Sequence, residues 1–162
     1  VICGNHDIWA KKSNEITSID SLKWIPNVQI YKEPELLNWN NKKILMMPWR
    51  RDADHETSTL ADFPQTDIVF CHSEVKGIYL NSKVKNEHGT DSNVYDKYTR
   101  VYSGHIHFRQ QRGKLLMVGT PYQLTRSDAN NSKGFDLVDL SNMEESFFIF
   151  SDEVASTVIS LL

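Results

Sequence analysis

Three short apolar runs along the chain each end at a cluster of polar residues. The runs at residues 1–3, 67–71 and 100–103 are rich in β-branched and aromatic residues without strict alternation, which is typical of strands covered on both faces. The polar residues that follow them are Asn5 and His6, then His72, then His105 and His107. Because ligands of open α/β sheets bind beyond the carboxyl ends of the strands, the pattern predicts that these side chains converge.

The remaining pattern predicts an α/β fold. Ser13 or Asn14 is expected to cap a helix that Pro26 limits, with an apolar side formed by Ile16, Ile19, Leu22 and Ile25. Residues 53–63 predict a weaker helix, and the polar stretch 81–99 predicts a long loop. Further strands are expected at residues 28–31, 43–47, 114–118, 135–140 and 146–150.

Composition fits one globular α/β or α+β domain. The chain has 162 residues, of which 40 % are hydrophobic and 24 % charged. The net charge of −3 gives no general attraction to a polyanion, so contact with nucleic acid would depend on local basic patches. No apolar stretch approaches the roughly 20 residues of a membrane span, so no membrane partner is expected.

Two cysteines and the chain ends suggest where the protein works and how much of it is present. Cys3 and Cys71 lie in apolar runs, which favours reduced, buried thiols and a cytoplasmic location. The chain starts without Met, in what reads as the end of a buried strand, so we expect it to be truncated at its N-terminus. Residues 151–162 are expected to form a terminal helix, or else the chain is also cut at that end.

Each polar cluster is ambiguous by itself. His105 and His107 could be two histidines on one strand face, residues 4–7 could be a polar turn, and His72 could be a satisfied core histidine. The three clusters together, each at the end of a buried strand, favour a metal site over these alternatives. Neutral imidazole is a good ligand for Zn, Mn, Fe and Ni.

The order Gly-Asn-His-Asp, His, Gly-His-x-His resembles the last three motifs of the calcineurin-like metallophosphoesterase superfamily. The resemblance implies a two-sheet sandwich flanked by helices, here lacking its N-terminal strands, with two divalent metal ions. Mn²⁺ is the first choice, and Fe²⁺ or Zn²⁺ are also compatible. The resemblance also implies that Asn5, His72 and His105 bind one metal and that His107 binds the other. It further implies that His6 is the catalytic histidine near the leaving group. The family's Asp-x-His and Gly-Asp-x-x-Asp motifs do not occur upstream, so this chain by itself is expected to be inactive.

A narrower resemblance follows the last metal motif. SbcD-type repair and recombination nucleases are similar to this chain at residues 119–125 and 133–135 and in the basic stretch after Pro48. Within that group, the chain most resembles the recombination endonuclease subunits of tailed phages. This resemblance covers residues 1–140, the expected C-terminal part of the metallophosphoesterase domain, whereas residues 141–162 are expected to form a terminal strand and a tail of unknown role. Candidate substrate contacts are Arg50, Arg51, Arg109, Tyr122 and Gln123. The same residues could instead belong to ordinary solvated faces and a turn.

The resemblance implies a metal-dependent phosphodiesterase that uses a hydroxide activated by two metal ions. The expected function is the DNA exo- or endonuclease subunit of a nuclease–ATPase complex in recombination and repair. Its expected partners are DNA, a coiled-coil SbcC-type ATPase subunit and a second copy of the chain as a homodimer. A phage-encoded protein would work in the host bacterial cytoplasm. The alternatives are a phosphoesterase for a small phosphodiester or a phosphoprotein, and a non-catalytic binding module.

Overall fold

A computed structural model describes residues 1–10, 13–128 and 131–150. The described residues contain an α-helix, α1, at Ala53–Asp62, and short 3₁₀ helices at Ser18–Trp24, Ser92–Tyr95 and Arg126–Asp128. The strands are β1 (Glu35–Trp39), β2 (Lys42–Met47), β3 (Ile68–Cys71), β4 (Arg100–Ser103), β5 (Gln110–Arg112), β6 (Leu115–Met117), β7 (Gly134–Asp139) and β8 (Glu144–Ile149).

The strands form a six-stranded mixed sheet and a separate hairpin. The order in the sheet is β1-β2-β3-β4-β6-β5, and β7 pairs with β8. Strands β2, β3, β4 and β6 are parallel, whereas the two edge strands run antiparallel to their neighbours. The structure therefore confirms the α/β class, the helix at 53–63, and every expected strand from residue 43 onward.

The edge strand β1 joins β2 through a two-residue turn that the sequence analysis did not detect. Trp39 pairs with Lys42, and Asn40 and Asn41 between them have φ values of 49° and 60°. Positive φ at both positions gives the turn a twist that matches the twist of the paired strands, and asparagine tolerates this conformation better than most residues. The Asn-Asn pair is therefore the local signal that predicts this hairpin.

The sheet is covered on both faces. On one face Leu45, Val69 and Val101 pack with Leu60 of α1 and with buried side chains of the 73–99 connection. On the other face Ile44, Ile68, Tyr102 and Leu116 pack against Val138, Leu140 and Met143 of the hairpin. Burial on both faces explains why the central strands read as continuous apolar runs.

Ion pairs and an aromatic contact fasten the hairpin to the sheet. Arg109 Nη2 lies 2.6 Å from Asp136 Oδ1, and the Arg109 guanidinium sits 4.0 Å from the centre of the Phe147 ring. Glu145 accepts hydrogen bonds from Arg100 and Tyr102 of β4. These contacts lie on the side of the hairpin that faces the sheet. They involve both β7, which precedes residue 140, and β8, which follows it. The proposed domain boundary at that position stays a prediction.

The N-terminal region is less regular than expected. Residues 28–31 do not form a strand, since only Tyr31 makes an isolated parallel bridge, to Ile2. The run at residues 1–3 likewise has no longer pairing than this bridge. The expected helix starts only at Ser18, after the Thr17 cap, because Thr17 bridges to Ile8 instead of continuing a helix. No residue of this 3₁₀ helix is buried, so the expected apolar side is absent.

The 81–99 loop is mostly irregular, as predicted, but it is anchored in the core. Tyr95 and Tyr98 are fully buried under the sheet. Cys3 and Cys71 are buried, free thiols, as predicted. The expected terminal helix at 151–162 lies outside the described residues. None of the helices in the described ranges is long and apolar enough to cross a membrane.

We expect Leu60→Ala to lower the free energy of unfolding by about 2–5 kcal/mol, because the side chain is buried between α1 and the sheet. Leu137→Ala is the matched control, since Leu137 is 58 % exposed and should change stability by about 0.5 kcal/mol or less. Urea unfolding of both variants measures the difference. Equal losses would mean that α1 does not pack as described.

Candidate metal centre

The loop after Cys3 is held in shape by Asp7. The backbone N–H of Gly4 donates to Asp7 Oδ2 at 2.8 Å, and the N–H of Asp7 donates back to the Gly4 carbonyl. Ser18 donates to the other carboxylate oxygen of Asp7. Asp7 is therefore a turn residue, and its hydrogen bonds fix the loop that carries Asn5 and His6.

His72 and His105 lie just beyond the carboxyl ends of β3 and β4, and Asn5 meets His72 there from the loop after Cys3. Nε2 of His72 lies 2.9 Å from Oδ1 of Asn5, although the two residues are 67 positions apart. The His72 and His105 rings meet edge to face, with centroids 5.0 Å apart. β3 and β4 are parallel and in register, so the residues that follow them lie at the same edge of the sheet.

Both grouped imidazoles are neutral near pH 7. Burial first, and then the nearby His105, lower the pKa of His72 to about 4. Burial also lowers the pKa of His105. The charge of Glu74 opposes this shift, and smaller effects from His6 and His107 act in the same direction as burial. Neutral rings keep a lone pair, which is the form in which histidine binds metals.

His6 and His107 lie at the border of this group. Each lowers the pKa values of His72 and His105 through its charge, so all four imidazoles are close enough to interact. His6 is exposed, and the side chain of His107 is 42 % exposed. A substrate can therefore approach His6 from solvent, while His72 and His105 form the more buried base of the site.

The donor atoms fit part of a metal coordination shell. Two ligand atoms at a right angle, each about 2.1 Å from one ion, are about 3 Å apart, close to the separation of Asn5 Oδ1 and His72 Nε2. Nδ1 of His105 is buried and has no hydrogen-bond partner within the described part of the chain. However, among residues 1–10, 13–128 and 131–150 no three His, Cys, Asp or Glu side chains form a group that could hold a metal ion. These residues thus fit a metal but do not by themselves complete its site.

Asp128 and Lys133 hold the loop after β6 against His107. Lys133 was noted in the sequence only as part of the resemblance at 133–135, and Asp128 was missed. Lys133 Nζ donates to the His107 carbonyl, to Thr120 Oγ1 and to Asp128 Oδ1 at 2.9–3.1 Å. Asp128 Oδ2 also lies 3.9 Å from Nδ1 of His107. Although burial opposes ionisation, hydrogen bonds from Thr125 and Lys133 lower the pKa of Asp128 to about 2. No local sequence signal distinguishes this pair from surface charges.

The structure corrects the exposure expected for Arg50. Its side chain is only 5 % exposed and its guanidinium pairs with Glu33 at 3.0 Å, so it is poorly placed to meet a phosphate. Arg51 is 62 % exposed and lies beside Asp52, the N-cap of α1. Of the two arginines, Arg51 is the one available at the surface.

The other candidate substrate contacts also differ from one another in solvent exposure. Arg109 is only 20 % exposed and is engaged by Asp136 and Phe147, so its position is that of a structural residue. Tyr122 and Gln123 are exposed on the loop that Lys133 attaches to the His107 backbone. They remain candidates for contact with a substrate.

An apolar cavity of about 480 Å³ lies between the sheet and the hairpin, with His72 in its wall. Its other walls include Phe70, Tyr102, Val118 and Val138. Such a surface does not suit a phosphate group, because burying a charge against apolar walls is costly. A phosphate ester would therefore approach the site from the exposed His6 side.

Gly4 is the position where the structure has no room for a side chain beside His72. A Cβ there would lie 2.9 Å from Cε1 of His72, whereas a Cβ at Gly104 would lie 3.6 Å from Nδ1, which is an ordinary contact. We expect Gly4→Ala to displace the His72 ring and to cost about 1–3 kcal/mol of stability. Gly104→Ala, the control, should leave the ring in place. NMR spectra of the imidazole signals in the metal-free protein test this, and identical spectra for the two variants would contradict the close packing.

No protein-family model matches the chain. Comparison with known proteins did find a relative. The chain is 29 % identical, over 150 residues, to a protein named Exonuclease subunit 1 of Enterobacteria phage T4. The match covers 90 % of this chain but only 43 % of the phage protein, so the chain spans less than half of that relative's length. The chain is thus similar to a phage nuclease subunit, which confirms the predicted resemblance to nuclease subunits of phages.

Proposed function

We propose that the chain is part of a metal-dependent phosphodiesterase, the DNA exo- or endonuclease subunit of a recombination and repair complex. The observation that carries the proposal is the convergence of Asn5, His72 and His105, as neutral N and O donors, at one edge of a parallel sheet. Similarity to an exonuclease subunit supports a nuclease-related function for this site.

In this proposal the six-stranded sheet and the β7–β8 hairpin are parts of a metallophosphoesterase sandwich. The grouped residues contain no carboxylate, while hard divalent cations in such sites also take carboxylate ligands. We propose that the remaining ligands come from Asp-x-His and Gly-Asp-x-x-Asp motifs elsewhere in the complete reading frame. The limited share of the phage relative that this chain covers is compatible with such additional segments.

Asn5, His72 and His105 would hold one divalent ion, and His107 would bind the other. Mixed N and O ligands suit Mn²⁺ first, with Fe²⁺ or Zn²⁺ as alternatives. The chemistry that two such ions supply when bound is activation of a water molecule and neutralisation of phosphate charge. The buried base formed by His72 and His105 would keep the ligands fixed, since the edge-to-face contact of the rings limits their rotation.

His6 would act on the leaving group without binding metal. It is exposed at the mouth of the site and follows Asn5 directly, so a phosphate ester beside Asn5 would lie within its reach. An imidazole has an ordinary pKa close to neutrality and can donate a proton to a departing oxygen.

DNA and a coiled-coil ATPase subunit are the proposed partners, and a homodimer is the proposed assembly. The phage relative is named as a subunit, which supports a partner complex. Arg51, Tyr122 and Gln123 are exposed and are the proposed DNA contacts, whereas Arg50 and Arg109 would act through the structure that surrounds them.

In the protein expressed from its complete reading frame, we expect His6→Ala to keep its metal content and to lose about 10²–10⁴-fold in turnover of bis-p-nitrophenyl phosphate. His105→Ala should instead lower the bound Mn²⁺, because it removes a ligand. Metal analysis and initial rates on both variants measure the two roles.

Loss of metal from His6→Ala, with His105→Ala still loaded, would reverse these assignments. A wild-type protein that binds no divalent metal under the same conditions would favour the non-catalytic binding module.

For DNA, we expect binding to weaken steeply as salt increases, because Arg51 and other cations would release counterions from the phosphates. Arg51→Gln should weaken binding and reduce the slope of log K against log[salt] by about 1, without changing hydrolysis of the small diester. Lys43→Gln is the control, since Lys43 is exposed at the opposite, amino end of β2. Fluorescence anisotropy on a duplex oligonucleotide across a salt series measures the slope.

If Arg51→Gln and Lys43→Gln weaken DNA binding equally, Arg51 is not at the interface. DNA binding that ignores salt, with hydrolysis of the small diester intact, would favour a phosphoesterase for small substrates.

A further inference from the structure

A buried carboxylate on α1 lies behind the site and has no part in the chemistry proposed above. Glu56 is only 5 % exposed. Its Oε1 accepts hydrogen bonds from Ser73 Oγ and Tyr95 Oη, and its Oε2 accepts one from Thr90 Oγ1 at 2.8 Å. Burying a carboxylate is costly, so three hydroxyl donors on one side chain indicate a group that is satisfied where it stands.

The charge environment of Glu56 also differs from that of a surface ion pair. Burial raises the pKa of its carboxyl, while the hydrogen bonds from Ser73, Tyr95 and Thr90 act in the opposite direction. Arg50 adds a favourable charge interaction but pairs directly with Glu33. The hydroxyl groups are therefore the direct partners of Glu56, and each fixes one point of the 73–95 connection against α1.

Ser73 is the point that reaches the site. It follows His72 directly, and its N–H donates to Ser103 Oγ at 3.0 Å. The Ser103 hydroxyl donates in return to the Ser73 carbonyl at 3.2 Å. Ser103 is the last residue of β4, two positions before His105, so a continuous chain of hydrogen bonds runs from Glu56 to the ends of β3 and β4.

We propose that Glu56 is a positioning residue, which acts through Ser73 and Ser103 to fix the separation of the His72 and His105 imidazoles. Thr90 and Tyr95 fasten the distant part of the connection, and Ser73 alone among the three donors borders a site histidine. The structural part of the inference stands on the hydrogen bonds, and its consequence for metal binding rests on the proposed function.

The test compares two variants that each remove one hydroxyl from the same carboxylate. Ser73→Ala removes the hydroxyl bond that links Glu56 to the strand ends, while the backbone bonds of Ser73 to Ser103 remain, and Thr90→Val removes a hydroxyl bond of the same kind elsewhere. In the protein expressed from its complete reading frame, both should lower the urea midpoint. Only Ser73→Ala should shift the imidazole NMR signals of His72 and His105 without metal and weaken Mn²⁺ binding, by about 10–100-fold.

A rescue variant keeps the result independent of folding losses. Ser73→Cys retains a weak donor of similar size and should recover part of the Mn²⁺ affinity and of the wild-type spectrum. Equal imidazole shifts in Ser73→Ala and Thr90→Val, or none in either, would overturn the inference. Shifts confined to Ser73→Ala in a wild-type protein that binds no Mn²⁺ would uphold the positioning role and refute the proposed metal chemistry.

Discussion

The parallel pairing of β3 with β4, in a register that places Cys71 opposite Ser103, is the constraint on which the rest of the site depends. This pairing brings the residues after both strands to one edge of the sheet, where hydrogen bonds between Ser73 and Ser103 hold the ends of β3 and β4 together. A shift of one residue would turn every side chain of a strand to the opposite face. Val69 or Val101 would then leave the face that α1 covers, so core packing and site geometry enforce the same register.

Several polar groups of the molecule are buried, and hydrogen bonds or ion pairs offset the free-energy cost of burying them. Glu56 is satisfied by hydroxyl groups and Lys133 by Asp128 and two oxygen acceptors. Arg50 forms an ion pair with Glu33, although its Nε and Nη2 have no hydrogen-bond partner among the described residues. Nδ1 of His105 is also buried and, among the described residues, has no hydrogen-bond partner. A lone buried donor or acceptor costs free energy in a purely structural role, so this atom favours a site whose ligand supplies the missing interaction.

The sequence predicted the central strands and the grouping of histidines because both depend on local patterns. Apolar runs such as residues 67–71 are strands with two buried faces, and polar residues after parallel strands share an edge. It failed where long-range partners decide the outcome. Nothing near Arg50 shows that Glu33 will bury it, and nothing in the polar helix α1 shows that Glu56 points inward. The expected strand at 28–31 was wrong, because only Tyr31 finds a pairing partner.

Two kinds of residue lie around the site: histidines whose positions are fixed by packing, and exposed residues that are accessible from solvent. His72 and His105 are held by the strand ends, by Gly4 and by each other, so their positions are set before any ligand arrives. Arg51, Tyr122 and Gln123 are exposed on segments outside the sheet, where a change of side chain has little effect on packing. The chemistry of the site therefore depends on the core. Under the proposed function, its specificity would depend on surface residues, which can vary while Asn5, His72 and His105 stay in place.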